Sequence, residues 1–245
     1  MESRNFQLDN EWNTIQYPEK PSGFGILIIG NERHFVNEKA DYWSQNDGKS
    51  FILNQLKEEG YTIFYSNLYG KHWGNDKAVQ LARKLYKHIV RTEIINEKIH
   101  LVAEGMGTLI ALKLMNAMGS NIRTCVLINP ILSLNAHLEQ EKEHKFFYNH
   151  LLKELAVSFE LEKDQIEDML KGQDESLIED HKIPVKIIHI LTDGRAHKQA
   201  DLIKKRSIKW ADKDVPVSMC YLLPEKRHGM GIQIINFIKK HESIL

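Results

Sequence analysis

The sequence holds only two cysteines in 245 residues, Cys125 and Cys220, and both fall in apolar, strand-like stretches. Such a pair supports neither a disulfide framework nor a cysteine-based zinc site. Each thiol reads instead as a small buried hydrophobe. Long apolar runs are missing too: none approaches the roughly 18 to 20 residues that a membrane span requires, and the opening Met-Glu-Ser-Arg-Asn-Phe has no apolar signal-peptide core. A cytoplasmic protein without a membrane partner is expected. Net charge is absent, with Lys+Arg 33 against Asp+Glu 33, so no global field draws the chain to nucleic acid. Lys204-Lys205-Arg206 is then expected to be a solvated helix face. There is no linker, internal repeat or low-complexity tract, and the length suits one α/β domain.

Cofactor signatures are lacking as well. Gly105-x-Gly107 follows a strand, but the dinucleotide fingerprint needs a small residue where Ile110 stands. No G-x-x-x-x-G-K-[ST] phosphate loop occurs. Twelve histidines are many, yet no H-E-x-x-H or C-x-x-C pattern organises them. No cofactor and no metal are expected.

What is present is an alternation of strands and helices. Phe6 to Leu8 and Trp12 to Tyr17 flank Asp9-Asn10 and read as a hairpin. Phe24 to Ile29 is a continuous apolar run, the mark of a strand buried on both faces. A helix from Asp47 to Gly60, a strand over Tyr61 to Tyr65 and a helix through Val79 to Ile89 follow. Ile99 to Val102 forms a strand that turns sharply at Ala103-Glu104-Gly105-Met106-Gly107 into a helix running to Met118. After the strand Cys125 to Ile128, residues 133–180 are dense in charge and read as inserted helices. The Phe146-Phe147-Tyr148 group there either covers an apolar pocket or forms the insertion's own core, and Trp73 either lines that pocket or packs structurally. Strands over Val185 to Leu191 and Val217 to Leu223, a charged helix from Gln199 to Trp210 and a last amphipathic helix through Ile232 to Ile238 complete the chain. Such alternation argues for an α/β fold with a mostly parallel central sheet and helices on both faces.

The turn at 103–107 resembles the nucleophile elbow, G-x-S-x-G, of the α/β-hydrolase family, and the order of elements from about residue 5 to 240 is similar to that family's. The resemblance implies a core of residues 1–132 and 181–245 with a helical cap at 133–180. It also implies a catalytic triad in the order nucleophile, acid, histidine, which falls on Gly105, Asp193 and His228. Gly30, Asn31 and Met106 correspond to the oxyanion region. In that family the histidine is the general base and the acid orients it. Glycine, however, has no side chain with which to attack a carbonyl, so the covalent route is closed at Gly105.

Glu104 reads either as a helix N-terminal cap or as a base working with His228 or a ligand for a cationic group. The expected function is a hydrolase-like protein without serine-hydrolase activity, with a small molecule or a protein as partner. Two other readings stand beside it. One is an enzyme using His228 and Asp193 as a general-base pair on water or a substrate proton. The other is a serine esterase whose nucleophile has moved to Ser133 or Thr108.

Overall fold

The computed structural model describes residues 2–171, 182–191 and 199–242. The chain opens with a hairpin of β1 (Ser3–Leu8) and β2 (Glu11–Gln16). Asp9 and Asn10 turn it with φ of 52° and 63°, the paired left-handed conformation that two-residue hairpins favour and that Asn and Asp tolerate. Then come β3 (Gly25–Ile29), α1 (Tyr42–Gln45), α2 (Asp47–Glu58), β4 (Thr62–Ser66) and α3 (Asp76–Thr92). The elbow region supplies β5 (Ile99–Glu104) and α4 (Gly107–Met118), followed by β6 (Ile122–Ile128). The inserted stretch contributes α5 (Leu134–Glu141), α6 (Lys145–Phe159) and α7 (Lys163–Lys171). The chain closes with β7 (Val185–Ile190), α8 (Ala200–Asp212), β8 (Val217–Leu222) and α9 (Met230–Lys239).

Among the described residues, eight strands form one sheet in the order β1-β2-β4-β3-β5-β6-β7-β8. The hairpin joins it antiparallel through β2 and β4, and β3 to β8 are mutually parallel. The expected elements are all present among the described residues, with small shifts of their ends. Unforeseen were the short α1, a 3₁₀ turn over Gly119–Asn121, and a 3₁₀ helix over Pro224–Gly229 where a loop was expected.

Alternate strand residues explain why both faces are covered. Leu27, Leu101, Cys125, Leu127 and Ile187 pack with residues of α3, α4 and α8 on one face. Ile26, Ile28, Val102, Val126 and Ile188 pack with residues of α1, α2 and α9 on the other. Each strand therefore reads as an unbroken apolar run rather than an alternating one. Both cysteines are free, and burial pushes the Cys125 thiol upward from its ordinary pKa.

A third apolar cluster lies outside the sheet. Leu134, Leu138, Leu151, Leu152, Leu155, Ile166 and Leu170 of α5 to α7 gather there around Trp73, Met106 and Leu109. The inserted helices thus sit on the elbow helix, which accounts for α4 being apolar on nearly all sides.

The strand order fixes where a site can form. From β3 the chain crosses to β4 on one side and then returns past β3 to β5 on the other. The crossovers diverge outside the carboxyl ends of β3 and β5, and such a switch point opens a crevice there.

Candidate active-site region

Gly30 and Asn31 end β3, and the chain turns back on itself immediately. The His34 N–H donates to the Asn31 carbonyl at 3.0 Å, and the Arg33 N–H donates to the Asn31 side-chain oxygen at 2.9 Å. The turn brings the His34 ring over Gly30 so closely that a Cβ at Gly30 would lie 2.2 Å from His34 Cγ. Only glycine fits. His34 Nε2 is 3.0 Å from the Ser66 carbonyl, so Nε2 carries the proton and Nδ1 keeps its lone pair. Burial holds this imidazole well below its usual pKa, at about 4.

One strand away, β5 ends at Glu104 and the backbone reverses at Gly105 with φ of +54°. That left-handed conformation suits a residue without Cβ. The turn is pinned from three directions: Gly105 N–H donates to Ile128 O at 3.0 Å, and Gly105 O accepts from Ile131 N at 3.1 Å and from Thr108 N at 3.2 Å. A Cβ at Gly107 would lie 2.4 Å from Ile29 O, so α4 leaves the turn directly against the backbone of β3. A Cβ on Gly105 would stand 3.2 Å from Asn31 Cβ. Asn31 therefore packs over the turn's apex. The backbone N–H groups of Asn31 and Met106 have no acceptor among the described residues, whereas the Met106 side chain is buried with Trp73 and Leu109.

Glu104 is not a helix cap. The N-cap of α4 is Met106, with no side-chain cap bond, because Glu104 still belongs to the strand. Its carboxylate instead meets Lys49 of α2, Nζ to Oε2 at 2.6 Å, with the two side chains 11 % and 14 % exposed. The same ammonium lies 4.8 Å from the centre of the Trp43 ring, a cation–π geometry. The negative charge near the turn is thus matched by an ammonium of the same chain. Tyr42 senses it: burial first, and then the Glu104 carboxylate, raise its phenol pKa.

Lys49 was not foreseen, although a signal existed. It shares a helical stripe with Ile52, Leu53 and Leu56, all buried, and a lysine on an apolar face demands a partner.

The remaining candidates are placed less centrally. Gly30, Asn31, Glu104 and Gly105 come together. His228 is exposed in the 3₁₀ helix, its ring 6.1 Å from that of Phe51 on α2 at 88°. No hydrogen bond links it to the turn among the described residues. Asp193 lies outside the described residues. Of the two alternative nucleophiles, Thr108 is fully buried, and Ser133 Oγ accepts the Ala136 N–H at 2.9 Å as the N-cap of α5.

Beside the turn opens a cleft of about 430 Å³ between Glu32 and Arg33 on one side and α5 and α6 on the other. Trp73, Phe146, Phe147, Leu151 and His150 contribute to its walls. Phe146 is 77 % exposed and Phe147 41 %, so they cover a cleft and do not form the insertion's core. Trp73, by contrast, is buried and stacks on His137 at 5.8 Å. Glu154 organises this wall: it accepts from Trp73 Nε1 at 3.1 Å, pairs with His150 Nε2 at 2.8 Å and meets Lys71. The 72–75 loop is tied to α6, since Ser158 Oγ donates to His72 O at 2.6 Å and Asn75 Nδ2 to Ser158 O at 2.8 Å. No group of three or more metal-ligating side chains occurs, and no helix is long and apolar enough to cross a membrane, among the described residues.

No protein-family model and no curated protein sequence matches the chain. Solved structures do. Est1E from Butyrivibrio proteoclasticus superposes with a TM-score of 0.65 at 11% identity, covering 98% of this chain and 99% of its own. An S-formylglutathione hydrolase from Agrobacterium tumefaciens gives 0.67 at 10% identity, covering 98% and 95%. A puromycin-hydrolyzing peptidase from Mycobacterium tuberculosis gives 0.74 at 14% identity, covering 99% of this chain and 40% of that one. The likeness extends over nearly the whole of this chain, and on that ground the chain has the α/β-hydrolase fold.

Proposed function

We propose that this chain is a hydrolase-fold protein without serine-hydrolase chemistry, and that it binds a small organic molecule in the cleft beneath α5 and α6, with α5 to α7 acting as its cap. The observation that carries the reading is the apex of the elbow. Gly105 offers no nucleophile, and the space a Cβ would enter is met by Asn31 Cβ at 3.2 Å. A side chain there would have to push Asn31 aside. The nearby carboxylate, Glu104, is already engaged in an ion pair with Lys49. The cleft joins aromatic walls, Trp73 and Phe147, to charged groups at Arg33 and Glu154, so its ligand has an apolar body and a polar end. Pockets of this size and mixed lining suit metabolite-sized ligands.

Hydrolysis, labelling and binding measurements test this. The unchanged protein is expected to hydrolyse p-nitrophenyl acetate no faster than buffer and to take no adduct from a fluorophosphonate. Gly105→Ser alone is expected to stay inactive, with activity emerging only when Asn31→Gly is added. Turnover by the unchanged chain that disappears in His228→Ala would overturn the non-catalytic reading. For the cleft, Phe147→Ala is expected to weaken any ligand found by thermal-shift screening about tenfold or more, since buried aromatic anchors dominate binding energy. Unaltered affinity would move the ligand elsewhere.

A further inference from the structure

At the opposite end of the sheet from the elbow, β7, β8 and α9 line a second, solvent-open cavity of about 360 Å³. Lys186 and Ser218 are register partners at the amino ends of β7 and β8, so their side chains leave the sheet on the same face. Lys240 and His241, just past α9, join them in the lining. No aspartate or glutamate is among the lining residues. Among the described residues the Lys186 ammonium has only a neutral hydrogen-bond partner, the Gln233 side-chain oxygen at 3.2 Å, and lies 5.8 Å from the centre of the Phe237 ring. The Ser218 hydroxyl is buried and has no hydrogen-bond partner among the described residues.

The electrostatics agree with the geometry. Burial first and then the charge of Lys240 lower the pKa of Lys186, with the Cys220 thiol acting in the opposite sense. Burial and Lys240 likewise lower that of His241. A partly buried ammonium beside a second lysine is stabilised by an anion.

We propose that this cavity binds a small organic phosphate. Lys186 and Lys240 neutralise the phosphate charge, Ser218 Oγ donates a hydrogen bond to it, and the Phe237 ring and Pro216 carry the apolar part of the ligand. Two ammonium groups act as point charges, which suits a tetrahedral dianion. The planar bidentate fork that arginine offers a carboxylate is absent from this lining. The site is independent of the cleft beneath α5 and α6, and it stands or falls separately.

The test is calorimetric titration of the full chain at low salt with phenyl phosphate, using benzoate as the comparator with the same ring and a planar carboxylate. Phenyl phosphate is expected to saturate one site at least about tenfold more tightly than benzoate. Lys186→Gln and Lys240→Gln are each expected to cost about tenfold or more in affinity, the loss of one charge-assisted hydrogen bond. Lys204→Gln, on the exposed face of α8, is expected to change nothing. Absence of saturable binding, equal binding of benzoate, or binding that survives both lysine substitutions would overturn the proposal. Should Lys186→Gln fail to fold, Lys240→Gln and Ser218→Ala carry the same decision.

Discussion

At the residue scale, the region beside the elbow is governed by one ion pair. Lys49 and Glu104 are each about nine-tenths removed from water, where the pair's net worth is small but either partner alone is costly. Lys49→Met is therefore expected to destabilise the protein by about 3 kcal/mol, because it strands a carboxylate. Lys49→Met combined with Glu104→Leu is expected to recover most of that loss. Urea denaturation of the two variants distinguishes a coupled pair from two independent contacts, for which the losses would add. Helical periodicity carries the signal for Lys49, which shares a buried stripe with Ile52, Leu53 and Leu56, although it was not singled out from the sequence. Its partner, 55 residues away in sequence, was not legible, because nothing local specifies which strand end a helix will pass.

At the scale of elements, the strand–turn–helix at 99–118 was read correctly from its apolar spacing and its glycines, and packing now separates what each glycine does. Gly105 serves the turn's backbone conformation. Gly107 serves contact, since a Cβ there would meet Ile29 O at 2.4 Å and Gly30 O at 2.7 Å. Those neighbours are backbone atoms of a central strand and cannot yield. Gly107→Ala is expected to destabilise by about 3 kcal/mol, the upper part of the range for overpacking. Gly48→Ala in the first turn of α2, where the nearest atom would be Asn46 Oδ1 at 3.6 Å, is expected to be neutral or to stabilise by up to about 1 kcal/mol. Chemical denaturation of both variants checks the contrast, and equal effects would contradict it. The aromatic pair on α6 shows the opposite limit of sequence reading. Phe146 and Phe147 have the spacing and hydrophobicity of core residues, but the core face of α6 is taken by Leu151, Leu152 and Leu155, which leaves the phenylalanines at the cleft.

For the whole molecule, two buried histidines tie stability to pH. Burial lowers His34 to about 4 and His72 to about 3, the latter also through the charge of His34. In the unfolded chain both titrate near 6.5. Between these values the unfolded state binds more protons than the folded one, so stability falls as pH drops from about 6.5 towards 4 and levels off below the folded values. His34 alone contributes about 3 kcal/mol to that loss. Melting temperature is expected to fall steeply between pH 7 and 4.5, and more shallowly in His72→Gln; an unchanged slope in that variant would exclude the role of His72. The sequence by itself determined the class of fold, the main strands and helices, and the sharp turn with glycine at its apex. Those properties reside in local periodicity, in continuous apolar runs and in where glycine is placed. Only the tertiary structure decided that Glu104 pairs with Lys49, that Asn31 covers Gly105, that His228 stands exposed beside Phe51, and that Lys186, Lys240 and Ser218 share one cavity. Each of these depends on which crossover lies on which face of the sheet, a long-range outcome of burying both faces at once that no local pattern encodes.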